Sequence, residues 1–97
     1  MARGVELDAP APNPAYGHTR VRFALPKAMP AGLEVLDVAG RVVKTLVPHG
    51  LQEAGARTAE WDGTMEGGAR AASGIYFVRL RAGTTPIVRR VVNLATN

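Results

Sequence analysis

Three acidic side chains in the stretch E-W-D-G-T-M-E are the residues whose type and spacing come closest to holding a metal ion. Glu60, Asp62 and Glu66 carry carboxylate oxygens, which are the ligands that Ca²⁺ prefers. A calcium loop needs oxygen ligands at alternating positions, and Thr64 supplies the one oxygen-bearing side chain between Asp62 and Glu66. The pattern therefore favours a turn formed by Asp62 over a metal site.

The other residues that could do chemistry are scattered along the chain. His18 and His49 each lie beside glycine or proline with no second ligand nearby, which favours solvated loop histidines over a metal site or a general base. Ser73, in A-A-S-G-I, lacks the G-x-S-x-G spacing of a nucleophile elbow. The pair Gly67 and Gly68 lacks the lysine of a phosphate loop. We predict that the protein is not an enzyme and has no catalytic residue, cofactor or metal ion.

Length and composition limit what can position these residues. The chain has 97 residues, 46% hydrophobic and 21% charged, without cysteine, as expected for one folded domain over residues 1–97 that needs no disulfide. No apolar run approaches the roughly 20 residues of a membrane span, and the first residues do not resemble a signal peptide. We therefore expect a single domain without a transmembrane segment.

Charge is distributed unevenly along the chain. Five arginines and no acidic residue follow Gly67, whereas the first 66 residues carry seven basic and eight acidic groups. A basic end could contact nucleic acid, anionic lipid or an acidic protein, or it could protect a sheet edge against pairing. Interleaved exposed aromatic residues, typical of nucleic-acid platforms, are not evident, so we predict no nucleic-acid partner.

Alternating hydrophobicity predicts strands along most of the chain. After Gly74, the residues Tyr76, Val78 and Leu80 fall on one face and Arg79 on the other, which is the period of a half-buried strand. The same alternation predicts strands over 19–25, 33–38, 57–61 and 86–94, with V-E-L-D either a short first strand or part of a linker over 1–10. Residues 41–47 could form a helix, but their β-branched content and Pro48 favour a strand.

Glycine and proline separate these segments at spacings near ten residues, which predicts an all-β, immunoglobulin-like antiparallel sandwich of about seven strands. We expect loops at 27–32 and 50–55, with Leu51 pointing inward from the second. The expected core is Val21, Phe23, Leu25, Leu33, Val35, Leu46, Trp61, Tyr76, Val78 and Leu80.

Five short motifs occur in a familiar order: P-N-P, D-V-A-G-R-V-V, W-D-G, S-G-I-Y-F-V-R-L and R-V-V-N-L. From about Pro12 to Leu94 the chain resembles the C-terminal sorting domains of type IX secretion substrates and the similar immunoglobulin-like domain of the flagellar hook-capping protein. The resemblance implies a seven-stranded sandwich at the end of a large exported bacterial protein, at the cell surface or outside the cell. The reading frame is then expected to continue upstream of Val5 into an N-terminal cargo domain.

The same resemblance implies the partners and the residues that meet them. An outer-membrane translocon reads such domains, and a sortase-like protease often removes them. The family's motifs fall on Pro12, Asn13 and Pro14, on Gly74 and Tyr76, and on Arg90 with Leu94. The exposed arginines of the last strand, Arg89 and Arg90, are the expected contact.

A second function stays open. The chain could be an accessory interaction or carbohydrate-binding module, or a structural domain like that of the hook-capping protein. Tyr16 is the one aromatic residue whose position in the pattern suggests exposure for stacking on a sugar.

Overall fold

Two antiparallel sheets face each other in the computed structural model, which describes residues 4–95; residues 1–3 and 96–97, including part of the possible N-terminal linker, lie outside the described range. The strands are β1 (Glu6–Leu7), β2 (Thr19–Leu25), β3 (Met29–Leu36), β4 (Val42–Gln52), β5 (Gly55–Trp61), β6 (Gly74–Ala82) and β7 (Ile87–Asn93). One sheet has the order β1-β2-β5 and the other β4-β3-β6-β7. The predicted all-β sandwich of about seven strands is confirmed, and residues 5–8 contain a short strand.

The core lies between the two sheets. Trp61, at the end of β5, is fully buried and meets Tyr76 of β6 edge-on, with ring centroids 5.2 Å apart. Nine of the ten residues predicted to point inward are buried, and the tenth, Leu46, is half-buried against the same cluster. The predicted core residues are therefore confirmed, and Leu7, Leu36 and Val91, which are not among them, are buried as well.

The predicted loop at 27–32 is wrong, because β3 already begins at Met29. Pro30 is tolerated near the start of the strand, where a missing N–H costs little. Gly32 lies where β4 passes closely: an added Cβ would come within 3.0 Å of the His49 Cα, and the register of β3 and β4 shifts between Ala31 and Leu33. Glycine here permits a close approach of two backbones and does not end a strand.

The predicted turn at 50–55 is also too long. β4 continues through Pro48 to Gln52, and proline fits there because β4 is the outer strand of its sheet. Leu51 pairs with Pro30 and is 77% exposed, so the expectation that it points inward is wrong. The choice of strand over helix for residues 41–47 is confirmed.

Candidate recognition site

The segment between β1 and β2 crosses from one sheet to the other. Ala11 exchanges two backbone hydrogen bonds with Arg20 of β2, at 3.0 and 2.8 Å. Four residues later Ala15 donates to the Val92 carbonyl of β7 at 2.7 Å, and its own carbonyl accepts the Leu94 N–H at 2.8 Å. We call residues 11–15 the strap, because they tie the two sheets together along one side of the sandwich.

Asn13 lies at the centre of the strap, between two prolines that have no N–H to donate. Its side chain replaces the missing backbone pairing: Nδ2 donates to the Arg90 carbonyl at 3.2 Å, and Oδ1 accepts the Val92 N–H at 3.0 Å. The carbonyl of Pro12 accepts the Thr19 hydroxyl at 2.8 Å. The P-N-P motif is thus held against the outer edge of the last strand.

The basic residues of β7 point in two directions. Arg89 Nε donates to the Leu7 carbonyl of β1 at 2.7 Å, which links the last strand to the first across the sandwich. Arg90 is exposed on the outer face beside its cross-strand partner Phe77, and within residues 4–95 its guanidinium makes no ion pair. Leu94 is half-buried at the end of the strap. Arg90 is therefore the charged group that this edge presents outward.

Gly74 and Tyr76 lie one strand further in, on β6. Gly74 pairs with Asn93 and Tyr76 with Val91, so both support β7 from its inner side. Tyr76 is 8% exposed, and its hydroxyl donates to the Ala72 carbonyl at 2.7 Å, the hydrogen bond of a tyrosine corner. Burial raises the pKa of this phenol above its ordinary 10.0. The buried ring of Tyr76 is out of reach of a partner, and Tyr76 contributes to the placement of β7.

The structure thus brings the strap, Arg89, Arg90 and Leu94 together at one edge and places Gly74 and Tyr76 behind them. It also contains two polar residues that our sequence reasoning missed. Asn93 is 1% exposed and donates through Nδ2 to the carbonyls of Ala71 and Ala72, at 3.3 and 3.4 Å, which anchors β7 to the loop before β6. The sequence does contain a signal for Asn93: it lies two residues after Val91, so alternation places both side chains on the same, buried face of β7.

Glu34 is the second missed residue, a carboxylate 8% exposed in the middle of β3. It accepts from Arg79 Nε at 3.0 Å and lies 3.2 Å from Arg81 Nε. Two arginines of the basic C-terminal part, Arg79 and Arg81, are therefore paired with a carboxylate.

The acidic stretch forms a turn, as predicted. Asp62 accepts the Thr64 N–H at 3.1 Å, and a hydrogen bond from the Thr64 hydroxyl is the main cause that holds the pKa of Asp62 below its ordinary value. Across residues 4–95, the histidine and carboxylate side chains nowhere gather in the threes that a metal site needs.

No helix in the described part of the chain is long and apolar enough to cross a membrane.

The family model for the FlgD Ig-like domain matches residues 7–85, well over half of the chain, and together with the sandwich topology this shows the class of protein. The chain belongs to the FlgD Ig-like domain family. No curated protein matches it significantly.

Two solved structures share the fold. One is latent, dimeric PorU from Porphyromonas gingivalis, which is 18% identical with a TM-score of 0.71 over 98% of this chain. The other is PorZ, described as an essential surface component of the type IX secretion system of the same organism, which is 22% identical with a TM-score of 0.57 over 94% of this chain. This chain spans only 10% and 11% of those two chains, so the similarity concerns one domain of each.

Proposed function

We propose that this domain is a non-enzymatic sorting and anchoring module of an exported bacterial protein, recognised by the type IX secretion machinery at the strap and β7. Its partners are an outer-membrane translocon or a sortase-like protein, and an N-terminal cargo domain in the parent protein. Its location is the cell surface or the extracellular space.

One observation carries the proposal. The P-N-P motif and the motif that runs from Arg90 to Leu94, separated by most of the chain, form one hydrogen-bonded unit through Asn13, Arg90 and Val92. Motifs that served only the core would not have to meet at an exposed edge, whereas a partner that reads both needs them side by side. The likeness of the fold to domains of PorU and PorZ supports the same reading.

The test is export of a reporter. The full chain is fused to the C-terminus of a fluorescent protein with an export signal, in a bacterium that has a type IX system, and surface display is measured by protease accessibility. Arg90→Glu and Leu94→Ala should reduce display, and Arg90→Lys should retain it because the positive charge remains. Lys27→Glu, an equal charge change in an exposed loop, is the matched control.

Two results would contradict the sorting function: no display of the unaltered fusion, or equal display after Arg90 and Leu94 are both replaced. Thermal melting of each purified variant separates a loss of recognition from a loss of fold.

The carbohydrate-binding alternative rests on Tyr16, which is 63% exposed. The remaining four aromatic residues, all within the described range, are buried or half-buried, so a sugar would meet one ring. A glycan array in which the chain binds and Tyr16→Ala does not would favour this alternative over sorting.

A further inference from the structure

On the side of the sandwich opposite the strap lies β5, the one sheet edge within residues 4–95 that has neither proline, register shift nor covering segment. β1 has two residues and is followed by prolines, β4 carries Pro48 and several register shifts, and the strap covers much of the edge of β7. These features, together with charged side chains, are ways in which proteins block unwanted strand pairing. β5 has the charged side chains Arg57 and Glu60 but none of the other features, and its seven residues pair with β2 without a shift.

The outward backbone groups of β5 follow from the hydrogen bonds of β2. Arg22 accepts the Asp8 N–H at 2.9 Å, and Arg20 donates to Ala11 at 2.8 Å, so both residues direct their backbone groups toward β1. In an antiparallel ladder, residues alternate between the two neighbours. The partners of Arg22 and Arg20 on β5, which are Thr58 and Glu60, therefore direct their N–H and C=O away from β2.

A groove of about 250 Å³ runs beside this edge, between β5 and β4. Its lining is apolar at Phe23, Leu46, Val47 and Ala59 and polar at Arg57, Thr58 and Glu60. The Arg57 guanidinium lies 5.2 Å from the centre of the Phe23 ring. A strand added to β5 would place every second side chain over this groove, because side chains alternate between faces. One extended ligand could therefore pair its backbone with β5 and bury alternate side chains in the groove.

The charge of Arg57 selects the occupant. Arg57 contacts the neutral Gln52 Oε1 at 2.8 Å, and within the described residues no carboxylate pairs with it. We propose that β5 and this groove bind an extended segment of a partner protein by strand addition, with alternating aliphatic side chains and a carboxylate facing Arg57.

The test uses the full chain and a labelled peptide of about seven residues in which valine alternates with threonine and one valine is replaced by glutamate. A matched peptide carries lysine in place of the glutamate. Fluorescence anisotropy should show binding of the glutamate peptide about fivefold tighter than binding of the lysine peptide. Amide shifts in an NMR titration should concentrate at β5.

Thr58→Pro separates strand addition from adhesion to the groove. Proline removes an outward N–H and leaves the ladder with β2 intact, so binding should be lost, while Thr58→Val should bind normally. Arg57→Glu should bind the lysine peptide more tightly than the glutamate peptide. This variant still tests the proposal if Thr58→Pro does not fold.

The proposal would be wrong if neither peptide bound the unaltered chain, or if Thr58→Pro and Thr58→Val bound the glutamate peptide equally well. If neither peptide bound and sedimentation showed a dimer that Thr58→Pro abolishes, the edge would bind a second copy of the chain instead. The surface lies opposite the strap, so none of these results depends on the sorting function.

Discussion

Asn13 and Val92 are 79 residues apart, and the side-chain oxygen of the first accepts the backbone N–H of the second at 3.0 Å. The same side-chain amide donates to the Arg90 carbonyl. The Asn13 side chain thus makes the two hydrogen bonds that the backbone of a paired strand residue would make. The contact connects the beginning of the domain with its last strand, at the edge where we place recognition.

Asn13→Ala should lower the free energy of unfolding by about 1–2 kcal/mol, because two exposed hydrogen bonds are lost together. Urea denaturation measures the change, and hydrogen exchange should show loss of protection at the Val92 amide. His18→Ala, in the exposed turn after the strap, is the control and should change little. Equal protection of Val92 in both variants would contradict the assigned contact.

Tyr76→Phe should cost about 1 kcal/mol, since the buried hydroxyl loses its bond to the Ala72 carbonyl. Burial raises the pKa of Tyr76, so the folded state holds this proton more tightly than the unfolded state. The contribution is complete below the unfolded value of 10.0 and is lost as pH rises through the folded value. Melting temperatures at increasing alkaline pH should therefore fall less steeply for Tyr76→Phe than for the unaltered protein.

Gly63→Ala should destabilise the domain more than Gly40→Ala. Both glycines have positive φ, +76° and +82°, a backbone strain of about 1–3 kcal/mol for alanine. An added Cβ at Gly63 would also lie 3.2 Å from the Gly17 carbonyl oxygen, whereas nothing lies within 4 Å at Gly40. Urea midpoints for the two variants give the contribution of the contact by difference, and equal midpoints would show that the backbone conformation alone matters.

Asp37→Asn should lower the melting temperature at neutral pH and have little effect in acid. The Arg41 backbone N–H, together with the Arg41 side chain and the Ala39 N–H, holds the pKa of Asp37 below its ordinary 3.8. The stability it provides is present above 3.8 and is lost as pH falls through the lower folded value. If the melting temperatures of the two proteins still differed at the most acidic pH, the effect would come from the shape of the side chain and not from its charge.

The strands could be predicted from sequence because alternation reports the buried face directly, as in β2 and β6. The two errors have one cause. The prediction of a loop at 27–32 takes Pro30 and Gly32 as strand breakers, and the predicted strand over 41–47 stops before Pro48. Proline is tolerated near the start of β3 and on the outer strand β4, and the close approach of the two strands at Gly32 requires glycine. That information depends on sheet order, which alternation does not contain.

The candidate site was predictable only as separate pieces. The motifs identified Asn13 and Arg90 as candidate site residues. The hydrogen bond between them depends on how two distant segments of the chain pack. The pairing of Glu34 with Arg79 likewise depends on the register of β3 against β6. Physical neighbours across sheets are set by tertiary packing, and no local pattern in a single sequence reports them.

The strap has a consequence for how the domain is completed. Asn13 bonds to Arg90 and Val92 of β7, the last strand within residues 4–95, and Ala15 bonds to Val92 and to Leu94 just after that strand. A chain interrupted before β7 would keep the pairing of Ala11 with Arg20, but Asn13 and the backbone of Ala15 would lack their hydrogen-bond partners, however well the other strands had formed. A partner that reads the strap and β7 together would thereby accept finished molecules and pass over incomplete ones.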